Sequence, residues 1–154
     1  MVDIVPASAT DLAALLEIER HSFRTAWTAE TLAAELAREH AYVDVARGPG
    51  VVGYNNYWIV PVSAEVHILS IATHPDHRRR GVAGALLAHA LTAARARGAT
   101  LATLEVRKGN RPVIALYERA GFRAVHVRAR YYQDDGEDAL VMLADLGAVA
   151  DLGA

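Results

Sequence analysis

The apolar positions alternate between two periods along the chain, and the switches mark the elements. Residues 2–5 are short and β-branched, which predicts an opening strand. After a polar entry of Ser8, Thr10 and Asp11, suited to capping, Leu12, Leu15, Leu16 and Glu19 follow helical spacing. A second helix is expected from Thr28, with Leu32 and Leu36 on one face and Glu30 in the first turn, where the helix dipole favours an anion. The period then shortens. Residues 41–47, 51–60 and 64–73 are rich in Val, Ile and Tyr, and Gly48-Pro49-Gly50 and Pro61-Val62-Ser63 separate them, so three strands joined by hairpins are predicted. A polar break, His74-Pro75-Asp76-His77, leads into a long helix over about 81–97 that Gly98 ends. Residues 100–107 form a strand again. Asn110, Pro112 in the first turn and Gly121 bracket a short helix, and residues 122–129 and 138–143 make a closing pair of strands around Asp134-Asp135-Gly136.

Runs of hairpin strands imply a largely antiparallel sheet, and the long helix between the fourth and fifth strands is a crossover, so that pair is expected to be parallel. The predicted class is mixed α/β (α+β), with seven strands and about four flanking helices. The chain has 154 residues, which suits a single domain over 1–154, with a core of 2–145 and a weakly patterned tail, 146–154, expected to fray. Hydrophobic residues at 53% and charged residues at 22% exclude a disordered chain. There is no cysteine, which excludes disulfides, thiolate metal sites and a cysteine nucleophile, and suits a reducing compartment. The net charge of −2 gives no global field toward nucleic acid or acidic lipid. The longest near-apolar stretch, residues 82–94, is shorter than the roughly 20 residues of a spanning helix. No basic patch precedes an apolar run at the start, so no signal peptide is expected and the location expected is cytoplasmic.

The most informative stretch is residues 70–87. A strand runs into a polar loop, then Arg78, Arg79 and Arg80, then Gly81, Val82, Ala83 and Gly84 opening an amphipathic helix. The first N–H groups of a helix lack internal partners and carry the positive end of its dipole. Small residues there let a phosphate approach the amides, and arginines add formal charge, so a diphosphate site built mainly from backbone is one reading. A solvated charged face is a second, and a nucleic-acid patch a third, without interleaved aromatics to support it. The Gly-Lys-Ser/Thr ending of a Walker loop is missing.

Arg78-x-x-Gly81-x-Ala83 resembles the Gln/Arg-x-x-Gly-x-Gly/Ala signature of the GCN5-related N-acetyltransferases, the GNAT superfamily. Leu104-Glu105-Val106-Arg107-Lys108-Gly109-Asn110 and Ala115-Leu116-Tyr117-Glu118-Arg119-Ala120-Gly121-Phe122 resemble that family's downstream block. Arg130-Tyr131-Tyr132 with residues 136–139 narrows the likeness to the RimI group, which acetylates the N-terminal alanine of a small-subunit ribosomal protein. The resemblance covers roughly residues 2–145. It implies the GNAT fold, acetyl-CoA as co-substrate with no metal, and a protein N-terminus as acceptor. Residues 25–28 read Thr-Ala-Trp-Thr where the RimI group commonly has Phe-Pro-Trp-Ser, Arg78 stands where glutamine is frequent, and Val82-Ala83 replace a common Leu-Gly pair.

Amide formation from a thioester needs a neutral amine, a polarised carbonyl and a proton for the departing thiolate. An α-amino group with a pKa near 8 is about one-tenth neutral at pH 7, whereas lysine is neutral on the order of once in 2,500. Glu105, inside an apolar strand, is the candidate base, acting through water, and the resemblance points to the same position. The competing reading pairs it with Arg107 or another arginine. Tyr117 is the candidate acid for the thiolate, against a plain packing role. Ile71, Ala72 and Thr73 would offer a backbone N–H to the carbonyl oxygen, residues 78–84 would take the pyrophosphate, and the opening between the fourth and fifth strands the pantetheine. Asn110 would bond the pantetheine arm, cap the short helix, or both. Tyr131 and Tyr132 would flank the acceptor, or pack, with Trp27 and Glu35 on the other side. His74 and His77 are a close pair without further ligands, so no metal site is expected. Two other functions remain open: a GNAT enzyme acting on lysine or small amines, and a non-catalytic acyl-CoA-binding module.

Overall fold

The computed structural model describes residues 2–23 and 26–147. Thr25, at the start of the altered 25–28 segment, and most of the tail expected to fray lie outside them. The strands are β1 (Asp3–Pro6), β2 (Ala41–Gly48), β3 (Gly50–Val60), β4 (Glu65–Thr73), β5 (Leu101–Arg107), β6 (Arg123–Arg128) and β7 (Ala139–Asp145). The helices are α1 (Leu12–Ser22), α2 (Ala29–Ala37), α3 (Val82–Ala96) and α4 (Arg111–Arg119). Short 3-10 turns fill 9–11, 61–63 and 75–77. The seven strands form one sheet in the order β1-β2-β3-β4-β5-β7-β6. β4 runs parallel to β5, pairing Glu65–Ile68 with Leu101–Leu104, as the crossover through α3 requires. The ladders β1–β2, β2–β3, β5–β7 and β6–β7 are antiparallel. No helix among the described residues is long and apolar enough to cross a membrane.

The chain divides into two compact units. The first comprises Met1–Trp58 and Leu69–Ala90, the second Ile59–Ile68 and Leu91–Ala154.

In the first unit, Leu15, Ile18, Leu32, Val43, Val45, Tyr54 and Ala72 form a core that joins α1 and α2 to the strands. Of the polar entry residues expected to cap α1, Asp11 stands at the N-cap position but makes no side-chain capping bond to that helix. The Asp11 carboxylate accepts from Ser8 N–H (2.9 Å) and from Arg47 (2.8 Å), and Thr28 Oγ1 accepts from Thr31 N–H (3.2 Å) at the start of α2. α3 lies close on the strands because β3 carries Gly53 beneath it. A Cβ at 53 would come within 2.8 Å of Val82 Cγ1, 3.0 Å of Ala72 O and 3.2 Å of Leu86 Cδ1. Only a residue without a side chain fits that approach.

In the second unit, alternate residues of β5 (Ala102, Leu104, Val106) are buried, while Glu105 is exposed and Arg107 half-buried on the opposite face. β7 supplies Ala139, Met142 and Ala144 to the buried set. Tyr117, the one fully buried residue of α4, packs its ring 5.8 Å from that of Phe122. β6 is exposed along its whole length and has a register shift between Ala124 and His126.

Candidate active site

The sequence-nominated residues fall into one group in each unit. In the first, β4 runs unbroken through Ile71, Ala72 and Thr73, the first two buried and the third half-buried. The chain then turns through 75–77 into the arginines. Arg78 is engaged with the protein itself: its Nε donates to Thr73 O (3.2 Å), and its Nη2 donates to His21 O (3.2 Å) and Ser22 Oγ (3.5 Å). It thereby straps the loop to the end of β4 and the end of α1. Arg79 has a left-handed backbone (φ 64°), a strained conformation for a residue with a side chain, and both it and Arg80 are exposed. Gly81 follows at φ 79° with open space where a Cβ would stand. Ala85 N donates to Gly81 O (3.0 Å), which makes Gly81 the cap residue. The N–H groups of Val82, Ala83 and Gly84 belong to the first turn, where helix geometry supplies no partner. Val82 turns its side chain into the buried layer, and Ala83 and Gly84 add almost no bulk. Exposed arginines, a glycine cap and first-turn amides without helix partners fit the charge of a diphosphate.

Behind that loop, His74 turns toward Glu17 (3.7 Å) and Asp76 (3.8 Å), and its ring lies 5.8 Å from that of His77. Among the described residues no group of three or more His, Cys, Asp or Glu is placed to hold a metal ion. Trp27 is half-buried against the core, and its backbone N–H donates to Glu19 Oε2 (2.8 Å). Glu35 is buried and accepts from Asn56 Nδ2 (3.2 Å) and Trp58 Nε1 (2.6 Å).

The second unit draws four nominated residues together. Glu105 Oε2 lies 3.1 Å from Arg128 Nε, and the Tyr131 hydroxyl hydrogen-bonds the same carboxylate. An arginine partner is therefore present, but it is Arg128 rather than Arg107. Burial, then the Glu105 carboxylate, raise the Tyr131 phenol above its ordinary value. Tyr131 and Tyr132 meet edge-on at 5.2 Å. Burial is also the main cause that pushes Tyr132 up to about 12. Tyr117 is raised further, by burial and by the neighbouring Tyr132, so its phenol keeps its proton throughout the physiological range. Asn110 occupies the N-cap position of α4, yet its side chain makes no capping hydrogen bond and is exposed. Capping therefore does not occupy its amide.

The pattern match to an acetyltransferase extends well beyond these motifs. The model of the acetyltransferase (GNAT) family matches residues 12–122. The chain belongs to that family. The GNAT chain is also 32% identical over 135 residues to the [ribosomal protein bS18]-alanine N-acetyltransferase of Escherichia coli strain K12, covering 86% of this chain and 90% of that one. The crystal structure of the Escherichia coli ribosomal-protein-S18-alanine N-acetyltransferase is similar with a TM-score of 0.86 at 32% identity, over 95% of this chain and 94% of that one. Arabidopsis thaliana NAA60, solved in complex with acetyl-CoA, shares the GNAT fold with a TM-score of 0.86 at 19% identity, over 96% and 99% of the two chains.

Two arginines of this group have no firm part in the sequence reading. Arg107 was offered only as a possible partner of Glu105, and Arg128 was not named. For Arg107 a signal existed: it stands two residues after Glu105 on a strand, hence on the same face, ahead of an acidic run at 134–138.

Proposed function

We propose that this N-acetyltransferase transfers the acetyl group of acetyl-CoA to the N-terminal alanine of a ribosomal protein, in the cytoplasm, by direct attack of the amine. The observation that carries the acceptor class is the grouping of Glu105, Tyr117, Tyr131 and Tyr132 in one unit, in a chain about one-third identical to a protein named for that reaction.

The roles follow from the chemistry of each group. The amides of residues 81–84, with Arg79 and Arg80, bind the diphosphate, while Arg78 holds their loop in shape. A backbone N–H of residues 71–73 takes the carbonyl oxygen as charge develops on it. The free side chain of Asn110 meets the pantetheine arm. Glu105 removes the amine proton through water, a modest task for an α-amino group whose neutral fraction at pH 7 is about one-tenth. Tyr117, kept protonated by burial, donates to the departing thiolate. Tyr131 and Tyr132 hold the backbone of the acceptor, and Trp27 is a further candidate for acceptor binding. The transfer is direct, without an acyl-enzyme: the amine that Glu105 deprotonates attacks the thioester carbonyl itself.

Mass spectrometry of a peptide panel incubated with acetyl-CoA tests this. Ala-first peptides are expected to gain one acetyl group at the N-terminus faster than Ser-first or internal-lysine peptides. Faster reaction of internal lysines or polyamines would move the enzyme to that acceptor class, and CoA binding with no turnover on any member would leave only a binding module.

A further inference from the structure

The loop between β6 and β7, residues 129–138, carries both acceptor tyrosines, yet its strand ladder ends at the pair Arg128–Ala139. Beyond that point Gly136 N–H donates to Tyr132 O (2.8 Å) and Arg130 N–H to Asp138 Oδ1 (2.9 Å) within the loop, Lys108 N–H donates to Asp138 O (3.0 Å), and a guanidinium from β5 gathers the acidic side chains. Arg107 Nη2 donates to Asp134 Oδ2 (2.7 Å), and Nη1 donates to Asp135 (3.0 and 3.1 Å) and to Glu137 Oε1 (3.3 Å). The same guanidinium lies over the Tyr132 ring, 4.0 Å from its centroid. Glu137 extends the clasp, since its other oxygen accepts from Gly109 N–H (2.8 Å), directly after β5 and Lys108. The clasp is only a quarter exposed at Arg107. A planar fork of donors serves three carboxylates and an aromatic face at once, which an ammonium cannot do. Without it, three like charges would face one another across a few ångströms and push the loop open.

We propose that Arg107 is a positioning residue for acceptor recognition: it pins the 129–138 loop so that Tyr131 and Tyr132 stand where the peptide enters. Arg107 does no proton chemistry, and its alignment with Glu105 on one face of β5 ties the acceptor loop to the strand that bears the base. The inference rests on the reading of Tyr131 and Tyr132 as acceptor-binding residues.

The test compares the parent with Arg107→Met, Arg107→Lys and the double variant Asp134→Asn/Asp135→Asn. Arg107→Met is expected to lower kcat/KM for an Ala-first peptide by about 10- to 100-fold, chiefly through KM, with the dissociation constant for CoA within about twofold of the parent. Arg107→Lys restores part of that loss, because a point charge can satisfy one carboxylate but not the fork. Trypsin cleavage after Arg130 is expected to be faster in Arg107→Met than in the parent. The double variant, which leaves Arg107 and β5 intact, reproduces the KM effect and carries the test if Arg107→Met does not fold. An unchanged peptide KM in the folded variants, or a loss of CoA affinity equal to the loss of peptide affinity, overturns the proposal. A parent enzyme inactive on every Ala-first peptide overturns the proposed acceptor class instead, so the two failures are distinct.

Discussion

Glu105 shares its carboxylate between the Arg128 guanidinium and the Tyr131 hydroxyl. Both partners steady its orientation. Replacing it with glutamine keeps the size and deletes the proposed base. Glu105→Gln is expected to lower kcat by about 10²- to 10⁴-fold while CoA affinity stays within about twofold, measured by steady-state kinetics and calorimetric titration. An equal loss of CoA binding would make Glu105 a structural ion-pair partner. The residue itself was legible, because a carboxylate interrupting an apolar strand needs a reason. Its partner was not. Glu105 and Arg128 meet through two successive ladders, β5 on β7 and β7 on β6, and no local spacing encodes which arginine such pairing delivers.

At the scale of elements, the turn from β4 into α3 combines three requirements: a strap (Arg78), a left-handed pair of cap positions (Arg79 at φ 64° and Gly81 at φ 79°) and a first turn free of bulk. Gly81→Asp adds backbone strain and a negative charge among the amides proposed for the diphosphate. It is expected to weaken CoA binding by at least about tenfold while the rate at saturating CoA changes less, as read from CoA titration and the KM for acetyl-CoA. Unchanged affinity would remove the diphosphate assignment. All seven strands and four helices were readable, because hydrophobic period and Gly/Pro punctuation are local signals. The position of β7 between β5 and β6 was not, because a hairpin signal shows only that the last two strands pair, and not which of them joins the rest of the sheet. The Asn110 side chain is a subtler case. Its position at the head of α4 was legible, but whether the amide turns inward to cap or outward to solvent depends on the backbone, which has ψ 70° there.

Over the whole molecule, the pH response is expected to come from acids that the core of the first unit has absorbed. Glu19 is 1% exposed, accepting from Trp27 N–H and from the Tyr54 hydroxyl, and burial raises its pKa above the ordinary 4.5. Asp44, bonded by Tyr57 (2.6 Å), is raised by burial above 3.8. A raised carboxyl holds its proton in the folded chain at pH values where the unfolded chain has already lost it. The stability it contributes is therefore complete below the unfolded value and declines as pH rises through the folded one. Glu19→Gln, which stays neutral, is expected to flatten the dependence of unfolding free energy on pH above 4.5 and to exceed the parent once Glu19 has ionised in the folded chain, as read from urea melts. Equal slopes would mean that Glu19 does not titrate in this window. The spacing placed Glu19 on the helix face but not inside the core, since burial of a charged type is decided by its donors, here a tryptophan amide and a tyrosine brought in by β3.

Gly53 has no functional group and lies under the coil rather than in it. A single methyl there would strike Val82 and Leu86 and lift the opening turn of α3 from its seat. The height of the amides proposed for the diphosphate is thus set from the floor of the sheet, by a missing side chain, before the arginines above add their charge.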